Sequence, residues 1–324
     1  MNHDRRRILT AASLLPLAVA LPRHASAQQL FESILMFVPA APGGGWDGLG
    51  RAIEQASMAD KLVGNFQFEN VGGAAGMVGL PRFVNQHKGQ ANAMMVGGSV
   101  MVGGGIVNKS PVTIEDVMPL ARMTEEAGVI VVPGDSPFKT WKDLENALKK
   151  DPRSVSVAGG SSGGTDHLLL GLVLRKLGQN PREAAYVAFA GGGPAVAAII
   201  GGQVKAGISG YSEFEEQIKA GRMRALAVSG NQRIAGVDVP TLKELGLNVT
   251  AANWRGVFGA PGTTAAQRAA LVDLLKKMHD TSAWKDILAK RKWTDVFLAG
   301  EPFEKVLAED IKDTKAVMKD LGLA

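Results

Sequence analysis

The chain has 324 residues, a formal net charge of +5, 40 glycines and no cysteine. That length buries a sizeable core and suits two domains. The absence of cysteine excludes disulfides and thiolate catalysis, so core packing alone must hold the fold.

Residues 1–27 read as an export signal. Arg5-Arg6-Arg7 form a basic region, Ile8–Leu21 an apolar run and Ala25-Ser26-Ala27 a small-residue cleavage site. The apolar run is too short to span a bilayer, and no later segment is long and apolar enough to do so. Arg5-Arg6 fits a twin-arginine leader and the general secretory route equally. The leader sets Arg5, Arg6, Arg7 and Arg23 against Asp4, so +3 of the +5 leaves with it. A mature chain near +2, starting about Gln28, makes no case for nucleic-acid binding.

Beyond the leader, short apolar runs end in glycine turns that open helical patterns. Ile34–Val38 leads into Pro42-Gly43-Gly44-Gly45-Trp46-Asp47, and Phe66–Glu69 into Gly72-Gly73-Ala74-Ala75-Gly76. Ala93–Val96 leads into Gly97-Gly98-Ser99. The second half repeats the scheme. Val155–Ala158 precedes Gly159-Gly160-Ser161-Ser162-Gly163-Gly164 and the helical His167–Leu177. Tyr186–Phe189 precedes Gly191-Gly192-Gly193-Pro194 and the helical Ala195–Ile200, and Ala206–Ser209 precedes Gly210-Tyr211-Ser212 and a helix at Glu213–Ala220. Three strand–turn–helix units per half predict parallel βαβ packing. Each turn aims backbone N–H groups and a helix N-terminus at one spot, an anion-binding arrangement.

Two apolar runs read as crossings between the halves: Gly128–Pro133, and Trp254–Gly259 ahead of Pro261-Gly262-Thr263-Thr264. They define a discontinuous first lobe, 28–127 plus 251–324, and an inserted second lobe, 128–250, able to hinge about a ligand. Thr140 and Thr264 are the predicted caps of helices Trp141–Lys149 and Ala266–His279. Ala283–Arg291 and Pro302–Leu321 read as amphipathic packing helices.

Two motifs invite enzymatic readings. Gly43-Gly44-Gly45-Trp46-Asp47-Gly48 satisfies G-x-G-x-x-G, with Glu69 about where a dinucleotide site holds ribose. The export signal, Pro42 in the turn and the repetition of the architecture without that fingerprint oppose a nicotinamide enzyme. Gly160-Ser161-Ser162-Gly163-Gly164 contains G-x-S-x-G, but Asp166 and His167 follow too closely on one helix start to serve a nucleophile elbow, and His87 and His279 have no motif context. Asp166 reads instead as a cap of its helix. Asp47 fits a ligand contact or a structural place in its helix, and Trp46 and Trp254 either flank the cleft or sit in the core. Met94, Met95 and Met101 read as core. With no paired metal-ligand cluster, neither a metal nor a cofactor is expected.

At these motifs the chain resembles the substrate-binding receptors of tripartite tricarboxylate transporters, also called Bug receptors. The matching segments are Val38–Asp47, Asn70–Gly76, Gly163–Leu168, Gly191–Ala195, Gly201–Val204, Arg224–Val228, Val239–Thr241 and Trp254–Thr264. The resemblance implies an α/β, two-lobed periplasmic binding protein fold, type II-like. Each lobe would be a mixed, mainly parallel sheet flanked by helices, with two crossing strands joining the lobes. It implies a non-enzymatic monomer that closes on a small carboxylate and delivers it to integral membrane subunits. Gly43, Gly44 and Gly45 match the family's first ligand-holding turn, Ala74 and Ala75 the second, and Ser162 and Thr165 the opposing loop. Loop position adds Trp46, Asp47, Ser99, His167, Gly192 and Tyr211 as ligand-binding candidates. Trp46 is closer to the tricarboxylate branch than to amino-acid-binding members, which points to a citrate-like acid. Val187-Ala188-Phe189-Ala190 departs from the common Val-Pro-Tyr-Lys, and Val204-Lys205-Ala206 from Val-Asp-Leu. A sensor presenting its closed form to a two-component kinase, and an exported hydrolase using Ser162, are the alternatives.

Overall fold

The computed structural model describes residues 29–189 and 192–324. The leader, the cleavage site, Ala190 and Gly191 therefore lie outside the described residues. In chain order the first elements are β1 (Phe31–Val38), α1 (Gly45–Ala59), β2 (Val63–Asn70), a 3₁₀ turn (Ala74–Gly76), α2 (Gly79–Gln86), β3 (Ala93–Gly98) and α3 (Ser99–Val107). Next come β4 (Met118–Pro133), α4 (Trp141–Lys150), β5 (Val157–Gly159), α5 (Thr165–Lys176), β6 (Tyr186–Ala188), α6 (Gly192–Ile200), β7 (Ala206–Gly210), α7 (Tyr211–Lys219) and β8 (Met223–Val228). The chain ends with β9 (Ala252–Gly259), α8 (Ala265–Asp280), α9 (Ser282–Arg291), β10 (Thr294–Ala299) and α10 (Glu301–Leu321).

Two sheets share one strand. In the first, β2, β1 and β3 run parallel, and β9 and then β4 follow antiparallel. In the second, β6, β5 and β7 run parallel, with β4 antiparallel beside β7. The order 2-1-3 is thus echoed by 6-5-7, the duplication expected from the glycine turns. β4 pairs with β9 up to Ala127 and with β7 from Gly128. The chain returns at Ala252, the first residue of β9, opposite Ala127.

Four strands differ from the sequence expectations. β4 extends back to Met118, because its polar Arg122, Thr124, Glu125 and Glu126 find partners between β9 and β10 instead of forming an apolar run. β8 and β10 were not anticipated; both pair antiparallel with β4. β5 begins at Val157 because a 3₁₀ turn, Pro152–Ser154, occupies the chain just before it.

One core fills the first sheet's surroundings, from Ile34 and Phe37 to Trp284 and Phe303, and includes the fully buried Met94 and Met95. The second sheet has a core on each face. Val129 and Val131 enter one, and Ile130 and Val132 the other, as strand alternation requires. α10 packs against both α3 and α5, so it ties helices of the two halves together. Among the described residues, no helix is long and apolar enough to cross a membrane.

Candidate functional site

The helices that start at the inner ends of the parallel strands share an unusual N-terminus. α1, α3, α5 and α7 are preceded by Gly44, Gly98, Gly164 and Gly210, and none has a side-chain cap. The peripheral α4 and α8 instead carry Thr140 and Thr264 in full capping boxes, as expected. First-turn N–H groups have no partner within a helix, so an uncapped start leaves donors for something else. At α7 that something is in the protein: Glu126 Oε1 accepts from Ser212 N–H at 2.7 Å.

The starts of α1 and α5 face one cavity of about 370 Å³ from opposite sheets. The first half contributes Gly44, Gly45, Trp46 and the 3₁₀ turn with Ala74 and Ala75; the second contributes Ser161, Ser162, Thr165 and Asp166. Val100 and Phe189 supply apolar wall, and Ser209, Glu213, Asn253 and Arg255 complete the lining. That volume lies at the small end of ligand pockets. Ala74 and Ala75 have φ of +47° and +58°, left-handed values that cost a non-glycine residue about 1 kcal/mol or more each. The Thr165 hydroxyl is buried without a partner.

Beneath this cavity lies a buried ion pair. Arg255 on β9 is 1% exposed and its Nη1 lies 2.8 Å from Glu126 Oε2, with Glu213 Oε1 3.7 Å from Nη2. Neither Arg255 Nη atom nor Glu126 Oε2 is aligned for a hydrogen bond. Two glycines make room for the pair. A Cβ on Gly45 would stand 2.6 Å from Arg255 Nη2, and one on Gly210 2.5 Å from Glu126 Oε2.

Asp166 lies in the first turn of α5, yet its carboxylate does not cap the helix; Oδ2 accepts from Gly160 N–H at 2.8 Å. Desolvation pushes its pKa up to about 7, and the nearby Glu213 and Glu126 add to the rise against the opposing pull of Arg255 and the Gly160 amide. His167 stacks on Tyr186 with centroids 4.4 Å apart, and its Nδ1 accepts from Gly163 N–H at 3.2 Å. That bond puts the neutral ring's proton on Nε2, and burial lowers the His167 pKa, which favours this neutral form. The Tyr186 hydroxyl donates to Gly160 O at 2.7 Å, and burial holds its pKa well above the ordinary value.

Of the candidates, Gly44, Gly45, Trp46, Ala74, Ala75, Ser162 and Thr165 line the cavity. Others are engaged elsewhere. Asp47 accepts from Gly43 N–H at 3.1 Å and from Asn70 at 3.0 Å, bracing the first turn from behind. Ser99 donates to Asn253 Oδ1 at 3.0 Å, and Tyr211 is buried in a core of the second sheet. His167 is held by Tyr186 and Gly163. Trp254 is core: its Nε1 donates to Asp310 at 3.0 Å and its ring meets Phe303 edge-on. Arg255, Glu126 and Glu213 were missed because they are scattered over three elements with no shared motif. The one available signal was two acids, Glu125-Glu126, immediately before an apolar crossing strand.

Two α/β halves with a ligand-sized cavity between opposed helix starts define a solute-binding protein of the periplasmic binding class. Its solved relatives have the same fold. A TctC solute-binding protein from Polaromonas, without ligand, is 29% identical, covers 89% of this chain and 98% of that one, and superposes with a TM-score of 0.64. MatC from Rhodopseudomonas palustris, with bound malate, is 24% identical, covers 88% and 98%, and gives a TM-score of 0.76. The model of the tripartite tricarboxylate transporter family receptors matches residues 51–323, and the chain belongs to that family. A UPF0065 protein of Cupriavidus necator is 27% identical over 67% of this chain, which spans 65% of that relative's length.

Proposed function

We propose that this chain is a periplasmic receptor that captures a small organic carboxylate between two lobes and hands it to the membrane subunits of a tripartite transporter. The lobes are 28–127 plus 251–324 and 128–250. They hinge where β4 passes from Ala127 to Gly128 and where β9 begins. The leader is removed near Ala27, and the carrier works as a monomer without a catalytic step. One observation carries this reading: two uncapped helix starts, one from each sheet, open on the same cavity. Each terminus contributes about 0.3–1 kcal/mol toward an anion, and up to about 2 where partly buried. Closure excludes water and strengthens every such contact.

The lining also narrows the ligand. Apolar Trp46, Val100 and Phe189 suit a short hydrocarbon backbone, with the carboxylates at the helix starts. Glu213 in the lining and Glu126 behind it outnumber the single Arg255, which favours a dicarboxylate over a citrate-like trianion. A hydrolytic role finds no support at Ser162, since the nearby His167 ring is already committed to Gly163 and Tyr186. The same closed form would also serve a sensor kinase.

Calorimetry with malate, succinate, adipate and citrate, each beside its neutral amide, tests the proposal. The dicarboxylates are expected to bind and the amides to bind at least about tenfold more weakly, since several terminus contacts are lost. Binding of the amides alone, or of a neutral sugar instead, would contradict it.

A further inference from the structure

We infer that Asp166 is a specificity-determining residue that meets the ligand as a neutral acid, so that binding of a dicarboxylate takes up a proton from solvent, approaching one per ligand above neutral pH. This rests on the carboxylate-receptor reading and adds the protonation state of its site. Asp166 lines the cavity at the start of α5, opposite the first turn of α1. Its Oδ2 accepts from the Gly160 amide, and the residue is part of the cavity wall.

The charges around it decide the sign. From α7 comes Glu213 and from β4 Glu126; β9 supplies Arg255, which is already 2.8 Å from Glu126 and 3.7 Å from Glu213. From β6 comes Tyr186, a neutral phenol that donates to Gly160 O, and from α5 itself the neutral His167. Among the described residues, no further cation lines this cavity. Even before a ligand arrives, desolvation and the two glutamates hold Asp166 at about 7. An incoming carboxylate adds negative charge at short range, which disfavours a second charge beside it and drives the proton further onto Asp166. The protonated acid then donates a short O–H···O hydrogen bond to the ligand, a charge-assisted contact stronger than a neutral pair. An ionised Asp166 would repel the same oxygen.

Malate is fully ionised from pH 6.5 to 8.5, so calorimetry across that range in phosphate and in Tris reads the protein's proton alone. Affinity is expected to fall toward tenfold per pH unit above about 7, and the two buffers to give enthalpies that differ by close to one proton at pH 8. Asp166→Asn keeps a donor and carries no titrating proton. It is expected to lose the pH slope and to bind malate at least about fivefold more tightly than the parent at pH 8.5. A pH-independent affinity with equal enthalpies in both buffers overturns the inference and leaves the receptor reading standing. So does affinity that rises with pH, as for a ligand ammonium on ionised Asp166, or a slope retained by Asp166→Asn. If no carboxylate binds at any pH, the receptor reading falls and this inference with it.

Discussion

Asp166 is a carboxyl group whose burial works against its own charge. In the unfolded chain it loses its proton near 3.8, whereas in the fold it keeps it to about 7. Between those values the native state binds more protons than the unfolded state, so this group's contribution to stability falls as pH rises and levels off above 7. Asp166→Asn removes that penalty while leaving an oxygen for the Gly160 amide. Its melting temperature is expected to exceed the parent's by about 2–4 °C for each kcal/mol relieved at pH 8 and to match it at pH 4, as thermal melts at the two pH values would read. A larger gain at pH 4 would contradict the shift. The neighbouring ion pair gives a second residue-scale expectation. Glu126→Ala strips the 2.8 Å partner from Arg255, which is 1% exposed, and should cost about 3–5 kcal/mol in urea unfolding. A cost near zero would mean that Glu213 alone compensates the guanidinium.

Among elements, capped and uncapped helix starts can be compared directly. Thr140 and Thr264 cap the starts of α4 and α8, while α1 and α5 begin at bare glycines beside the cavity. Gly44 has the extended φ/ψ of an N-cap, −82° and 176°, and a Cβ there would make only an ordinary 3.7 Å contact with Ala41 O. Gly44→Ser should therefore cap α1, stabilise the fold by a few tenths of a kcal/mol and weaken carboxylate binding, because its hydroxyl takes N–H groups meant for the ligand. Paired melts and calorimetry check both signs; a stabilised variant with undiminished affinity would place the ligand elsewhere. The glycine turns were legible in the chain because only a few sequences make a strand stop, turn and open a helix within six residues. β10 and the first half of β4 were not legible. Their polar residues are satisfied by neighbours that come from distant parts of the sequence, Glu125 opposite Trp254 and Thr294 for example.

At the scale of the molecule, the duplication and the strands that link the two halves were written in the chain, as matching strand–turn–helix units and two apolar runs. The acidic floor was not, since Glu126, Glu213 and Arg255 become neighbours only when β4 and β9 lie side by side and α7 folds over them. Carboxylate capture by this fold requires that donors from both halves hold one ligand. Amide chemical shifts of the isotopically labelled protein, followed while malate is added, test it most directly. Gly45, Trp46 and Ala75 in one half and Ser162, Thr165 and Asp166 in the other are expected to move together with one saturation curve. Shifts confined to one half's turns, or clustered away from both, would contradict it.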